Sequence, residues 1–210
     1  MPRLKLDLQT YTCKVCFLPI RAWHLFQWIR KPLLCAKCYA QLEWHHQITS
    51  FEGYPIESMF DYGPVFKSRI HQFKAFGDVV LGPTFLHQHV MYLRLKYYGY
   101  SILSAPSHPL DIQQRGFHHL DEIVLPLGLN IIHAFYKNKP YRQAEQNAQD
   151  RTRIQHVIER YDSVRLPRKI LLFDDIMTTG ETIRSMLKLL PSREKNDVKI
   201  LVLARKKKQL

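Results

Sequence analysis

No apolar run in this chain is long enough to cross a bilayer, and the opening residues MPRLKLDLQTYTC lack the apolar core of an export signal. A cytoplasmic protein is the expectation, with no membrane insertion, reaching the inner face of the membrane only through partners. Acidic residues are scarce. There are 18 against 31 basic ones, a formal net charge of +13. That imbalance points to a polyanionic partner, nucleic acid or a membrane surface, unless it is simply a solvated Lys/Arg surface. Glycine is sparse too, and no G-x-x-x-x-G-K-[ST] occurs among the eight glycines, which excludes a P-loop nucleotide hydrolase. Cysteine is confined to four residues, which in a reducing compartment are metal ligands sooner than disulfides. What is present suffices for a core: 46% apolar content in 210 residues supports one α/β domain plus a small module.

The cysteines fall as Cys13-x-x-Cys16 and Cys35-x-x-Cys38, with eighteen residues between the pairs. Two such knuckles bring four thiolates together and complete a tetrahedral Zn²⁺ site with no position left for water. The site is therefore expected to be structural; a redox-active Cys-x-x-Cys is the alternative. His24, His45 and His46 lie nearby, yet none is needed. Between the knuckles, aromatic and cationic residues interleave. Arg21, Trp23, Arg30 and Lys31 are candidate contacts to single-stranded DNA, where rings stack on bases and cations follow phosphates. The competing reading makes Trp23, Phe26 and Trp28 the mini-core of the module. The module is assigned to residues 1–48 and a second domain to residues 55–210, with a linker from about Gln47 to Pro55.

The most informative segment is Leu171 to Ile183, LLFDDIMTTGETI. An apolar run ends in Asp174 and Asp175, a loop of small and hydroxyl residues follows, and an amphipathic stretch begins. That order predicts a buried parallel strand, a turn and the start of a helix. Backbone N–H groups from Thr178 to Thr182 and the positive end of the helix dipole suit a phosphate, and Gly180 permits close approach. The aspartates repel phosphate; they suit sugar hydroxyls or a hard cation such as Mg²⁺. The segment resembles the phosphoribosyl pyrophosphate (PRPP) signature of type I phosphoribosyltransferases. By that resemblance Asp174 and Asp175 hold the ribose hydroxyls, and Thr178, Thr179, Gly180, Glu181 and Thr182 hold the 5′-phosphate.

Elsewhere strands and helices alternate. Strands are expected at Ile56–Tyr62, Tyr100–Ala105, Asn130–Ala134, Ile170–Phe173 and Val198–Ala204. Helices are expected at Val65–Phe76, Phe85–Tyr97, Phe117–Leu127, Asp150–Tyr161 and after Gly180. The alternation predicts a largely parallel sheet with helices on both faces and ligands at the carboxyl ends of its strands. Ser104–Pro109 is expected as a Pro-rich turn at such an end, and Arg205–Lys208 as a solvated basic tail.

Together these landmarks resemble the ComF family, late competence proteins of transformable bacteria. The likeness rests on the four-cysteine module, Phe73-Lys74-x-x-Gly77-Asp78, Pro106, Gln114-Arg115-Gly116-Phe117, Gln143-x₇-Arg151 and the PRPP-type loop. The family more usually reads RGFN-Q where this chain has Arg115-Gly116-Phe117-His118-His119. The resemblance implies a type I phosphoribosyltransferase-like fold behind a zinc finger. It also implies handling of incoming single-stranded DNA alongside a competence helicase. Lys74, Arg115 and the Ser104–Pro109 turn are candidates for the pyrophosphate; otherwise Lys74 merely ends a helix and Arg115 lies on the surface.

Transferase activity is not evident from the residues. Where purine enzymes of this fold carry a third Asp in the phosphate loop, this chain has Thr178, whose hydroxyl is no base near neutral pH. Amidotransferase chemistry would need a nucleophilic cysteine, and all four are committed to metal. Three readings stay open: a DNA-uptake factor with a retained PRPP pocket, an active phosphoribosyltransferase on an unidentified acceptor, and an adaptor whose zinc module docks a partner protein.

Overall fold

The computed structural model describes residues 11–20, 31–138, 158–191 and 196–206. The chain divides into two compact units, Met1–Leu42 and Glu43–Leu210. In the first, β1 (Tyr11–Thr12) and β2 (Pro19–Ile20) form an antiparallel pair, and a short helix, α1 (Ala36–Ala40), starts at Cys35. The second unit is built on a six-stranded sheet. Its strands are β3 (Trp44–Phe51), β4 (Tyr54–Asp61), β5 (Ser101–Ser104), β6 (Asn130–Ile131), β9 (Lys169–Met177) and β10 (Asp197–Arg205), in the order β3-β4-β10-β9-β5-β6. All pairings are parallel except β3 with β4. This is the expected α/β architecture with a largely parallel sheet, with an antiparallel edge added. Consecutive residues Ile170–Phe173 and Ile200–Ala204 are buried, so both faces of the central strands are covered. Among the described residues no helix is long and apolar enough to cross a membrane.

Several expectations need correction. The linker proposed from about Gln47 is instead part of edge strand β3. It joins β4 through a two-residue turn, Glu52-Gly53, with φ of 52° and 75°. Both central residues in the left-handed region make the tight hairpin turn whose twist matches the strands. The strand is largely exposed, so it carries no apolar alternation to announce it. The Ser104–Pro109 turn is shorter than expected, because Pro109 opens α4 (Pro109–Arg115) and His108 caps it through Leu110 N–H at 3.2 Å. Proline suits a first helical position, where its missing N–H has no partner to lose.

The helix expected over Phe85–Tyr97 is a 3₁₀ turn at His87–His89 followed by α3 (Val90–Lys96). That over Phe117–Leu127 is α5 (His119–Val124), with Pro126 inside a closing 3₁₀ turn. The Val65–Phe76 prediction matches α2 (Pro64–Ala75). Only Asn130–Ile131 of the Asn130–Ala134 strand is paired. A small antiparallel pair stands apart, β7 (Phe135–Lys137) with β8 (Ile158–Arg160). β8 replaces the end of the helix expected at Asp150–Tyr161; the start of that helix, with Gln143 and Arg151, lies outside the described residues.

Candidate functional site

β9 runs four residues further than its apolar core, because β10 pairs with it as far as Arg205↔Met177. The acidic pair is therefore on the strand. Successive residues face opposite sides of a sheet, and here Asp175 is buried while Asp174 is half-buried. After Met177 the chain exposes Thr178 and Thr179, turns at Gly180 with φ +82°, and enters α6 (Glu181–Lys188). A Cβ on Gly180 would lie 2.5 Å from Phe51 Cζ and 2.5 Å from Met177 Cε, so glycine is demanded by space as well as by backbone.

No side chain caps α6, and the N–H groups of Thr178, Thr179 and Gly180 have no backbone acceptor among the described residues. Uncapped amides at the positive end of a helix dipole form an anion seat. A cavity of about 490 Å³ opens there, lined by Phe51, Thr178, Thr179, Arg184, Arg205 and Lys206 among others. Arg184 is answered by Glu52 at 2.9 Å and by Glu181, whereas among the described residues the Arg205 side chain bonds only the neutral Thr49 hydroxyl at 3.2 Å. Arg205 and Lys206 thus give the cavity two cations against the carboxylate of Asp61, which also lines it. They belong to it, contrary to the expectation of a wholly solvated tail; Lys207 and Lys208 lie outside the described residues.

The carboxylates hold a different set of partners. Lys74, from the last turn of α2, places Nζ 2.5 Å from Asp175 Oδ2. His119 Nε2 lies 3.4 Å from the same oxygen. Arg115 donates to His119 Nδ1 at 2.8 Å, and because a guanidinium only donates, Nδ1 accepts and the ring proton sits on Nε2, facing Asp175. Burial opposes ionisation of Asp175, yet Lys74 and His119 outweigh it and hold the carboxyl well below the usual range. Asp174 moves the other way, pushed up to about 7 by burial and then by the charge on Asp175. Burial also lowers the ammonium of Lys137, on β7, with Asp174 opposing that shift. The pair therefore offers one carboxylate held ionised by its cationic neighbours and, beside it, one carboxyl that burial and that charge make easier to protonate.

Lys74 and Arg115 are accordingly brought to the acidic pair, one directly and one through His119, on the side where Ser104–Pro109 and His119 line a second, smaller cavity. Sequence reading gave no role to Lys137, Phe51, Arg184 or Arg205. Only the fold brings them near the pair and the loop, and no spacing motif announced them.

In the first unit, one sulfur of each of Cys13, Cys16, Cys35 and Cys38 lies within 4.8 Å of the others, and none is in a disulfide. Cys16 and Cys35 are 3.7 Å apart. Bonds of about 2.3 Å at tetrahedral angles around zinc put neighbouring sulfurs about 3.8 Å apart, so this set fits a closed tetrahedral ion. Burial, with neighbouring sulfurs sharing its proton, pushes the Cys38 thiol up to about 12. For Cys13, burial is outweighed by backbone N–H groups, which draw it down to about 6. Four thiolates at this spacing need a cation to coexist. Of the proposed DNA contacts, Lys31 is exposed, while Arg21, Trp23 and Arg30 lie outside the described residues.

No protein-family model matches the chain. Competence protein ComFC of Streptococcus pneumoniae (strain ATCC BAA-255 / R6) is 29% identical over 153 residues, spanning 73% of this chain and 69% of that protein. Among solved structures, an adenine phosphoribosyltransferase aligns with TM-score 0.36 at 14% identity, covering 80% of this chain and 89% of the other. The Saccharomyces cerevisiae enzyme aligns at 0.37 and 14%, covering 81% and 89%. That of Trypanosoma brucei aligns at 0.36 and 12%, covering 71% and 83%. The chain is thus similar in sequence to ComFC over most of its length, and it combines four clustered cysteines with a mostly parallel sheet.

Proposed function

We propose that this chain is a competence protein that handles incoming single-stranded DNA, and that its larger unit keeps a pocket for a 5′-phosphorylated sugar such as PRPP. One observation carries the pocket: the amides of Thr178, Thr179 and Gly180 have no backbone acceptor among the described residues and stand at the head of α6, beside the cations Arg205 and Lys206. In this reading those amides and the hydroxyls of Thr178, Thr179 and Thr182 take the phosphate oxygens. Asp174 accepts from the ribose hydroxyls and, with Mg²⁺ bound, helps to hold the cation. Lys74 is already committed to Asp175, so its part is to keep that carboxylate ionised. Zinc on the four cysteines serves as a structural clamp on the first unit.

The DNA-handling half rests on the net charge of +13 and on the likeness to a protein named for competence, ComFC; a competence helicase as partner is what the resemblance noted in the sequence implies. Titration of labelled single-stranded DNA at several salt concentrations tests it. Affinity should fall with a log–log slope of roughly −0.7 for each phosphate neutralised. A flat response, or no binding at low salt, removes the proposal. Calorimetry with PRPP and Mg²⁺ tests the pocket separately.

A second reading, an active phosphoribosyltransferase, is favoured by Asp174 alone. Burial and the neighbouring Asp175 charge raise this carboxyl above the usual range, which suits it to exchange a proton with an incoming acceptor. Release of pyrophosphate from PRPP on addition of purines, pyrimidines or ammonia, abolished in Asp174→Asn, supports it; silence across that panel counts against it.

A further inference from the structure

We propose that His118, Asp121 and His133 form a second metal site, which takes a divalent first-row transition ion at the rim of the smaller cavity. A nitrogen of each histidine and an oxygen of the aspartate lie within 4.8 Å of one another. His133 Nε2 is 3.1 Å from Asp121 Oδ2, already the edge length of a coordination sphere with bonds of about 2.1 Å. The two imidazole rings are 4.9 Å apart, tilted by 41°. Small side-chain rotations bring all three donors onto one ion.

The backbone supplies the convergence. His118 precedes α5 and Asp121 lies in its first turn, three residues on, hence on the same face. His133 follows β6, in a segment held by Ile132 N–H to Ile102 C=O at 2.9 Å. Ser104 Oγ donates to the other oxygen of Asp121 at 3.4 Å, which orients the carboxylate and leaves Oδ2 for the ion. An ordinary ion pair accounts for His133 against Asp121. It leaves the His118 ring unexplained, since among the described residues that side chain makes only the ring contact with His133, its carbonyl serving the start of α5.

Two imidazoles and one carboxylate are borderline donors. They favour Zn²⁺, Co²⁺, Mn²⁺ or Fe²⁺ over Mg²⁺ and Ca²⁺, which want oxygen alone. Three protein ligands leave positions for water or an oxyanion, unlike the closed four-sulfur set. Those positions adjoin a cavity of about 130 Å³ that Ser107 and Lys137 also line, polar enough for a phosphate oxygen.

The test uses the full chain with its cysteines first loaded with zinc, and Co²⁺ alone as the probe. One further cobalt per chain is expected, with ligand-field bands but no thiolate charge-transfer band. Asp121→Asn and His133→Ala should each weaken it at least tenfold while the zinc content stays unchanged. His133 is half-exposed, so its variant should keep the parent circular dichroism and melting temperature. A zinc-loaded chain that binds no cobalt overturns the proposal, as does a bound cobalt indifferent to all of His118→Asn, Asp121→Asn and His133→Ala.

Discussion

Replacing Gly180 by alanine probes the loop at its tightest point. An L-residue in the left-handed region costs about 1–2 kcal/mol. The new Cβ would also stand 2.5 Å from Phe51 Cζ and 2.8 Å from Phe51 Cε2. Met177 Cε, at 2.5 Å, is the end of a flexible chain and moves cheaply. Phe51 does not, because it closes the β3–β4 hairpin opposite Tyr54 and lies under the Arg184 guanidinium, 5.3 Å from its ring centre. Overpacking of that kind adds about 1–3 kcal/mol, for a total of about 2–5 kcal/mol. In a protein of this size the melting temperature should fall by on the order of 10 °C. The double-mutant cycle with Phe51→Ala separates the two contributions. With the ring gone, Gly180→Ala should cost only the backbone part, about 1–2 kcal/mol, and the difference between backgrounds is the steric coupling. Urea unfolding of the four proteins measures it. A Gly180→Ala protein as stable as the parent, or one with the same cost in both backgrounds, refutes the packing argument.

Other consequences can be checked in parallel. Lys74→Met strips Asp175, 5% exposed, of its ion partner; because Lys74 itself is 32% exposed, the loss should be near 3 kcal/mol, about the low end for a buried pair, and Asp175→Asn in the same chain should recover part of it. Burial and then the nearby His46 push the His89 imidazole down to about 4. Its unfolded form therefore binds a proton first as pH falls, and stability should decline from about pH 6.5 to pH 4 and level off below. Because the ring is only half-buried, the decline should amount to about 1–2 kcal/mol, and His89→Phe, which keeps the stack on Trp44, should flatten it in pH-dependent melts. Cys35→Ser should abolish zinc retention and leave the Met1–Leu42 unit open to proteolysis, since metal binding supplies about 10 kcal/mol of folding energy to such modules, while Glu43–Leu210 still melts cooperatively.

The strand–loop–helix around Asp174 and Gly180 was legible because everything it needs is local: a continuous apolar run, small and hydroxyl residues, then helical spacing. The cysteine cluster was legible for a similar reason, as two pairs at knuckle spacing carry their own geometry. What stayed hidden was set by distant neighbours. Strand β3 faces solvent along most of its length and so mimics a linker, and its identity comes from pairing with β4. The strand carrying the acidic pair outlasts its continuous apolar run because β10 continues beside it. Lys74 read as a pyrophosphate ligand or a helix end, and only the fold reveals its ion pair with Asp175. Likewise His118, Asp121 and His133 meet through the packing of α5 against the segment after β6, which no spacing in the chain records.

The account stands on the amides of Thr178, Thr179 and Gly180 as a phosphate seat. Amide NMR of the full chain during titration with ribose 5-phosphate reads those groups one by one. Saturable shifts of these three signals, absent from Gly180→Ala, are the predicted result. Binding that perturbs other amides while leaving these three unmoved would contradict it.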